Sequence, residues 1–279
     1  MGEIKVKIYS KINPFLSIEG EENGYHKLDT VFVSVSLYDE IKVVPADETR
    51  VFIDYEERNE TNAYKAVMLM KELGGYDVEV YIKRGILSGG GVGASSADAA
   101  GVMRAMCYLY DIDIDEETLI AEARKIGSDV PYMLKGGWAR LRGTGEELEF
   151  FDAPTGEEVL LAVKGEVNTG ECFARYDQNP VEHIPADEFT SIVKEKGLNG
   201  ISEHCFNALT EPAVSINEGV AVALKVMRES GLTCSMSGSG ATVWGVGRDI
   251  DLAIAQRELI KLGFTVFRAK TVDRGCEWL

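Results

Sequence analysis

A glycine-rich segment in the first half of the chain limits the possible folds more than any other feature. The alternating residues 78–82 before it predict a strand, and the mostly apolar residues 95–109 after it predict a helix. Such a turn lets the backbone approach a ligand and points the free N–H groups of a helix N-terminus at it. We therefore predict a phosphate-binding loop. Its candidate residues are Gly89, Gly90, Gly91, Val92, Gly93, Ala94, Ser95 and Ser96.

Other interpretations of this segment stay open. It could be a flexible connection, although its glycines exceed what one turn needs. It also fits the G-x-G-x-x-G/A dinucleotide fingerprint loosely, through Gly89, Gly91 and Ala94, with Asp111 or Asp113 about 20 residues further on. The segment lies far from the start of the chain, however, whereas that fingerprint belongs to a leading βαβ unit. A Walker P-loop is excluded, because no Gly-Lys-Ser/Thr follows.

The composition is that of an ordinary globular protein, with 45% hydrophobic and 27% charged residues among 279. This length suggests two domains or one large one. No apolar run approaches the roughly 20 residues that span a bilayer, and the first residues resemble neither a signal peptide nor a myristoylation site. We therefore expect a soluble cytoplasmic protein.

The net charge of −17 argues against non-specific binding to nucleic acid or anionic membranes, which requires a basic face. A phosphorylated substrate stays possible, because backbone N–H groups and one or two lysines can hold phosphate inside an acidic protein. The five cysteines lack a CxxC pair and are expected to be small core residues. The three histidines show no metal-ligand spacing.

Predicted strands and helices alternate along the rest of the chain. A turn at residues 38–40 is expected to separate two of the strands. The other predicted strands are residues 4–8, 31–37, 41–44, 51–53, 159–163, 242–246 and 264–269, and the other predicted helices are residues 61–73, 116–126 (capped by Asp115), 201–209, 215–230 and 251–262. A boundary near residues 154–156 divides the chain into lobes of residues 1–153 and 154–279. Together these elements predict an α+β protein with two lobes, and we expect its functional site between them.

Several motifs resemble those of the GHMP kinases, which include galactokinase, homoserine kinase and mevalonate kinase. Residues 89–100, GGGVGASSADAA, are similar to the phosphate loop of that family, P-x-G-x-G-L-G-S-S-A-A. Other motifs are similar to one branch of the family and occur in its order: KINPFL (11–16), GYHKL (24–28), LYDE (37–40), GSDVP (127–131) and SGSGA (237–241). The resemblance implies a ribosomal-S5-like N-terminal lobe and a ferredoxin-like C-terminal lobe.

The chain departs from the family pattern at a few positions. Leu87 stands where the family has Pro, Val92 replaces Leu, and Asn23 replaces the Asp before Gly-Tyr-His. Ala94 and Ser95 replace two glycines of the loop, which leaves open which serine would meet Mg²⁺ or phosphate.

The resemblance also implies roles for residues outside the loop. Asp129 occupies the position of the family's catalytic base, which accepts the proton of the substrate hydroxyl, and Lys11 would lie beside it. By itself, Asp129 is more typical of a turn or cap aspartate, and a lone lysine is usually solvated. Asn13 is implied to lie near the acceptor hydroxyls. Asn62 is implied to contact adenine, although it could equally cap a helix.

A cytosine site is implied near the first of these motifs. Tyr25 would stack on the base and His26 would form hydrogen bonds with its edge. By themselves, these residues are more often a turn aromatic and a surface histidine. A second stacking aromatic is expected from residues 169–177, where Phe173 aligns best and Tyr176 is the alternative.

Together the motifs imply an ATP-dependent kinase that phosphorylates a cytidine diphosphate-linked polyol, with Mg²⁺ required by the chemistry and no clear ligand set. The turn with Gly238 and Ser239 would close over the substrate diphosphate or support the phosphate loop. The alternatives are a GHMP kinase with another acceptor such as mevalonate or homoserine, a non-catalytic nucleotide-binding module, and an NAD(P)H-dependent oxidoreductase. We expect no nucleic-acid or membrane partner, and the oligomeric state is open.

Overall fold

The computed structural model describes residues 2–86, 89–201 and 204–279. Its strands are β1 (Ile4–Glu22), β2 (Tyr25–Pro45), β3 (Arg50–Ile53), β4 (Glu56–Glu57), β5 (Val78–Lys83), β6 (Trp138–Gly143), β7 (Glu147–Phe151), β8 (Glu158–Val163), β9 (Phe206–Asn207), β10 (Thr233–Met236), β11 (Val243–Val246), β12 (Thr265–Val272) and β13 (Cys276–Trp278). Its helices are α1 (Asn62–Glu72), α2 (Ala94–Tyr110), α3 (Glu116–Ala123), α4 (Val130–Lys135), α5 (Thr169–Tyr176), α6 (Asp187–Lys196), α7 (Thr210–Ile216), α8 (Glu218–Glu229) and α9 (Asp249–Lys261).

A long antiparallel ribbon of β1 and β2 organises the fold. Its turn has left-handed φ angles of 52° at Asn23 and 80° at Gly24. These are the angles of the two-residue hairpin turns that Asn-Gly favours. The predicted turn at residues 38–40 is wrong, because β2 continues through them. A shift in pairing register between Tyr9 and Ser10 of β1 lies opposite and bends the ribbon without ending the strand.

The ribbon lies within one larger sheet. Strand β2 also pairs with β5, β6 and β12, and the sheet runs in the order β10-β11-β8-β12-β2-β5-β3-β4. Most pairings are antiparallel, whereas β3 with β5 and β1 with β9 are parallel. The last two strands return to the first two, since β12 pairs with β2 and β13 with β1. A mainly antiparallel sheet with packed helices confirms the predicted α+β class.

Most predicted helices are present with small shifts at their ends. Asp115 caps α3 as predicted, since its Oδ1 accepts a hydrogen bond of 2.8 Å from the N–H of Thr118. The predicted helix at residues 201–209 is wrong within the described part of the chain. Phe206 and Asn207 there form β9 beside β1, and α7 begins only at Thr210. The sequence patterns did not identify α4, α5 or α6.

Three hydrophobic clusters fill the interior. The first lies between α1–α4 and the sheet and contains buried residues between Val6 and Leu141. The second contains mainly residues after β7, packed around α8 and α9. The third joins Ile12 and Trp138 to Leu161 and Trp244. The predicted lobe boundary at residues 153 and 154 falls between β7 and β8, and the third cluster contains residues from both sides of it.

Two of the cysteines agree with the expectation of small core residues, since Cys172 and Cys234 are buried, while the other three are half-buried. Across residues 2–86, 89–201 and 204–279, no helix has both the length and the apolar character that crossing a bilayer requires.

Candidate active site

An open cleft of about 790 Å³ lies between the glycine-rich turn and the β1–β2 ribbon. It brings together candidate residues from six separate parts of the chain. These are Lys11, Asn13, Tyr25, His26, Gly91, Gly93, Asp129, Phe173, Gly238 and Ser239.

Lys11 is the buried cation of the cleft. Its side chain extends from β1 and is only 4% exposed, and Nζ lies 3.5 Å from Oδ2 of Asp129. The same ammonium donates hydrogen bonds of 2.5 Å to Oδ1 of Asn13 and 3.1 Å to the carbonyl oxygen of Gly91. Burial lowers the pKa of Lys11, and the charge of Asp129 opposes that effect. The ammonium therefore contacts both the candidate base and the glycine-rich turn.

Asp129 lies directly before α4, in the N-cap position. Its backbone carbonyl accepts the N–H of Met133, and Pro131 lies in the first turn of the helix. Within the described chain, however, its carboxylate forms no capping hydrogen bond with the helix. The side chain is 30% exposed and lines the cleft. The carboxylate thus faces the cleft and does not cap the helix, as a simple cap aspartate would.

Asn13 is held from three sides. Its Nδ2 donates a hydrogen bond of 2.8 Å to Thr30, and its Oδ1 accepts one from Lys11. Its backbone N–H donates to Oγ of Ser237 at 3.2 Å. The buried amide therefore fixes the direction of the Lys11 ammonium and connects β1 to the second glycine-rich turn.

The two glycine-rich turns dock on each other. Oγ of Ser237 donates to the carbonyl oxygen of Gly91 at 2.9 Å, and the N–H of Thr242 donates to that of Gly90 at 3.1 Å. A Cβ atom on Gly91 would lie 2.2 Å from the carbonyl oxygen of Ser237, so a side chain there is excluded by backbone. Residues 146 positions apart in the chain thus form one wall of the cleft.

The first turn ends at the N-terminus of α2. Gly93 occupies the N-cap position with a left-handed φ of 79°, and in the described chain no side chain caps this helix. Ser95 is exposed and Ser96 half-buried in the first turn. Since the first N–H groups of a helix have no partner within it, this end offers donors for an anion.

The rings of His26 and Phe173 stack at the other end of the cleft, with centroids 4.6 Å apart. Nε2 of His26 also forms a hydrogen bond of 2.7 Å with Oδ1 of Asp177. Tyr25 is 70% exposed on the cleft wall, whereas Tyr176 is buried and meets the His26 ring edge-on. Of the two predicted aromatics in this segment, Phe173 is thus the one that lines the cleft.

Asn62 is apart from this group. It is the first residue of α1 but not its cap, because Thr61 accepts the capping hydrogen bond. Its Oδ1 accepts a hydrogen bond of 3.4 Å from Lys65, and Asn62 does not line the cleft. Its contact with adenine stays a prediction. Leu87, which replaces the proline of the family pattern, lies outside the described residues.

Two contributing residues had no predicted role. Nδ2 of Asn207 donates to the carbonyl oxygens of Met236 and Gly238, each at 2.9 Å, and so holds the second turn. Asp177 orients His26 across 151 positions of sequence. Asn207 was missed because its segment was predicted to be a helix. Asp177 was missed because no local sequence pattern links it to His26.

Among the described residues, the potential metal ligands that line the cleft are His26, Asp129 and Asp177, and they do not form a group that could hold an ion. Within the described residues, one group of three could hold an ion, formed by Glu19, Asp29 and His183, and none of them lines the cleft. Asp29 is already paired with Arg140 at 2.7 Å. An ion in the cleft would therefore depend on oxygens that a ligand brings with it.

Comparisons with known proteins define the class. Residues 61–137, which include α1, the glycine-rich turn and α4, match the family model for the GHMP kinases N terminal domain. A crystal structure of homoserine kinase from Cytophaga hutchinsonii has the same fold, with a TM-score of 0.76 over 100% of this chain and 98% of that one at 15% identity. The fold is that of a small-molecule kinase of the GHMP class.

Closer relatives define the family. The 4-diphosphocytidyl-2-C-methyl-D-erythritol kinase of Thermoanaerobacter pseudethanolicus is 31% identical, over 99% of both chains. A crystal structure of 4-(cytidine 5'-diphospho)-2C-methyl-D-erythritol kinase superposes with a TM-score of 0.81 at 28% identity, over 96% of this chain and 98% of that one. The chain belongs to the 4-diphosphocytidyl-2-C-methyl-D-erythritol kinase family. ATP is the phosphoryl donor of such kinases.

Proposed function

We propose that this enzyme transfers the γ-phosphoryl group of ATP to the 2-hydroxyl of 4-diphosphocytidyl-2-C-methyl-D-erythritol, giving the 2-phosphate and ADP in isoprenoid precursor synthesis. The observation that carries the proposal is the Lys11–Asp129 pair, which lies in one cleft with a glycine-rich turn and a stacked aromatic pair. Relatives bearing that substrate's name across the full chain support it. We expect the reaction in the cytoplasm, where ATP is available.

The donor phosphates would bind at the glycine-rich turn and the N-terminus of α2, through the residues from Gly89 to Ser96. Docking against the second turn supports this role, because it holds the backbone N–H groups in place before a ligand arrives. Mg²⁺ would be bound mainly by phosphate oxygens, with a hydroxyl of Ser95 or Ser96 as a ligand from the chain. Adenine would lie towards Asn62.

Asp129 would act as the base that accepts the proton of the acceptor hydroxyl as its oxygen attacks phosphorus. Its partly exposed carboxylate and its missing capping bond support this role. The Lys11 ammonium would hold the hydroxyl oxygen and offset the negative charge that develops on the phosphoryl group. Burial strengthens that electrostatic effect, because little water screens the ammonium.

The cytidine end would bind beside Tyr25, His26 and Phe173. The His26 and Phe173 rings are already in contact at 4.6 Å, so cytosine cannot lie between these two. We propose instead that the base stacks between Tyr25 and Phe173 while His26, oriented by Asp177, meets its edge.

The diphosphate would lie along the second glycine-rich turn. Gly238 and Ser239 line the cleft between the aromatic end and Lys11, and Oγ of Ser239 is 2.9 Å from Oγ1 of Thr169. In this arrangement residues 1–153 bind the donor, and residues 154–279 supply the turn and Phe173. The partners are two small molecules, and neither nucleic acid nor a membrane takes part.

The test is ADP release measured against a panel of acceptors. We expect rapid ADP formation with 4-diphosphocytidyl-2-C-methyl-D-erythritol and only background with mevalonate, homoserine or galactose. Phosphorus NMR of the product should show a new monoester. Equal or faster turnover with mevalonate or homoserine would contradict the proposed acceptor, and ATP binding without ADP from any acceptor would indicate a non-catalytic module.

A further inference from the structure

One motif has no role in the proposed reaction. Residues 37–40, LYDE, lie in the middle of β2, outside the cleft. Asp39 in this motif is fully buried, although an ionised carboxylate is costly to bury unless it is paired and hydrogen-bonded. Its partners therefore indicate why an acid is placed there.

Asp39 binds the chain just before the glycine-rich turn. Its Oδ1 accepts hydrogen bonds from the backbone N–H groups of Gly85 at 2.6 Å and Ile86 at 2.7 Å. Gly85 also packs directly on β2, since a Cβ atom there would lie 2.2 Å from the carbonyl oxygen of Tyr38. The chain just before the turn is thus fixed to β2 by the Asp39 carboxylate and by the close packing of Gly85.

Arg84 extends this contact to the helix that follows the turn. Its Nη1 donates to Oδ2 of Asp39 at 2.5 Å and to Oδ1 of Asp98 at 2.9 Å, and its Nη2 lies 2.7 Å from Oδ2 of Asp98. Asp98 is buried near the start of α2. One guanidinium therefore connects the residues before the turn with the helix after it.

We propose that Asp39, Arg84 and Asp98 form a positioning cluster that sets the spacing between the two ends of the phosphate-binding turn, and thereby the affinity for the nucleotide phosphates. The cluster touches no reacting atom, so these are positioning residues. The inference rests on the proposed function, because it takes the turn to be the ATP site.

The planar fork of arginine suits this task. It reaches the side chains of both aspartates at once with directed hydrogen bonds, which the single ammonium of lysine cannot do with the same geometry. Among the described residues, Arg84 is also the only cation paired with either Asp39 or Asp98. Removing one member should therefore let the two ends of the turn shift relative to each other.

Two variants test the proposal, with calorimetric titration of ADP and steady-state kinetics as readouts. Asp39→Asn keeps the size of the side chain but points an amide at Arg84, and Arg84→Lys keeps the charge but loses the fork. Each should raise Kd for ADP and KM for ATP about tenfold, a smaller effect than the roughly 10²-fold loss of rate that a misplacement of about 1 Å can cause. KM for the acceptor should change less than twofold.

Asp29→Asn is the matched control. Asp29 is equally buried in β2 and forms a bidentate pair with Arg140, with both contacts at 2.7 Å, but among the described residues it contacts none next to the turn. It should lower the melting temperature like Asp39→Asn while leaving Kd for ADP within twofold of wild type. If Asp39→Asn does not fold, Arg84→Lys decides the question alone.

Unchanged ADP affinity in folded Asp39→Asn or Arg84→Lys would overturn the inference, as would an equal loss in Asp29→Asn. The readouts also separate it from the proposed function. A wild-type protein that binds ADP but does not phosphorylate the cytidine substrate contradicts the function, while ADP affinities of the variants still decide the inference. A wild-type protein that binds no adenine nucleotide overturns both.

Discussion

At the residue scale, the Lys11–Asp129 pair makes the cleft a candidate for phosphoryl transfer. Neither residue is unusual by itself. The buried Lys11 ammonium, however, lies 3.5 Å from the Asp129 carboxylate, and within the described chain that carboxylate forms no capping hydrogen bond with α4. Lys11 in turn is fixed by Asn13 and by the carbonyl oxygen of Gly91. The proposed base and its cation are therefore already positioned in this structure, which would lower the cost of reorganisation during the reaction.

Replacing the proposed base, Asp129, should remove turnover without removing nucleotide binding. We expect Asp129→Asn to lower kcat by roughly 10²- to 10⁴-fold, because an amide cannot accept the hydroxyl proton. Kd for ADP should stay within a factor of about two. Asp111→Asn, the same change at an exposed position at the far end of α2, should leave kcat unaltered. A kcat close to wild type in Asp129→Asn would remove this residue from the base role.

The exposed Tyr25 allows a second test at this scale. Base–aromatic stacking contributes about 1–3 kcal/mol, so Tyr25→Ala should raise KM for the cytidine substrate about tenfold. KM for ATP should not change. Tyr55→Ala is the control, since Tyr55 is 95% exposed and does not line the cleft. An unaltered KM in Tyr25→Ala would place the cytosine site elsewhere.

Sequence alone could identify the cleft residues whose motifs are local, such as Lys11 in KINPFL and Asp129 in GSDVP. It could not identify residues whose role depends on a distant contact. Asp177 becomes relevant only because folding brings it to His26, and Asn207 only because β9 lies beside the second turn. Neither contact leaves a spacing signal, so both require the structure.

At the element scale, the docking of the two glycine-rich turns explains why Gly91 must be glycine. Gly91→Ala adds a Cβ atom 2.2 Å from the carbonyl oxygen of Ser237, which must push the turns apart. Gly89→Ala is the control, since its φ of 71° nearly equals the 73° of Gly91 while its nearest contact is 3.6 Å away on Glu166.

Both variants carry the backbone strain of a left-handed alanine, about 1–2 kcal/mol, so only the clash distinguishes them. We expect Gly91→Ala to lower the melting temperature clearly more than Gly89→Ala in thermal unfolding monitored by circular dichroism. Equal melting temperatures would show that the contact between the turns adds no stability.

Elements with local start and stop signals were predictable, as the Asp115 cap of α3 shows. The failures have a common physical cause. Residues 38–40 resemble a turn, yet pairing with β1 and β5 keeps them in β2. Phe206 and Asn207 resemble part of a helix, yet they pair with Phe15 and Leu16 of β1 and form β9. Pairing with distant strands overrides local preference in both cases.

At the scale of the whole molecule, the cluster around Arg84 should make stability depend on pH. Burial, together with the negative charge of Asp39, raises the pKa of Asp98 from 3.8 to about 8, against the opposing charge of Arg84. A raised pKa means that the folded state holds this proton more tightly than the unfolded state. The stabilisation is therefore complete below about pH 4 and is lost as the pH rises towards 8.

Asp98→Asn should remove this dependence. We expect the free energy of unfolding of wild type to fall relative to that of the variant between pH 5 and pH 9, as measured by urea denaturation. Comparing the two proteins cancels the contributions of the titrating groups that do not interact with Asp98. A difference that stays constant over this range would mean that Asp98 is ionised in the folded protein at every pH tested.

The two predicted lobes share more structure than a boundary between β7 and β8 suggests. Strands β12 and β13 pair with β2 and β1, and the third hydrophobic cluster combines Ile12 and Trp138 with Leu161 and Trp244. A fragment of residues 1–153 would expose the apolar surface of this cluster and leave one edge of β1 unpaired, which favours aggregation. Separate lobes should therefore not be independently stable.

We accordingly expect the full chain to unfold in one cooperative transition, with equal calorimetric and van't Hoff enthalpies. The fragment of residues 1–153 should be insoluble or unfolded when expressed alone. The cleft contains residues from both sides of the boundary, with Lys11 and Asp129 on one side and Phe173 and Ser239 on the other. Cooperative folding therefore holds the proposed donor and acceptor ends of the cleft in a fixed relative position. Two resolved transitions would show instead that the lobes are separate folding units, joined only by the strands that cross between them.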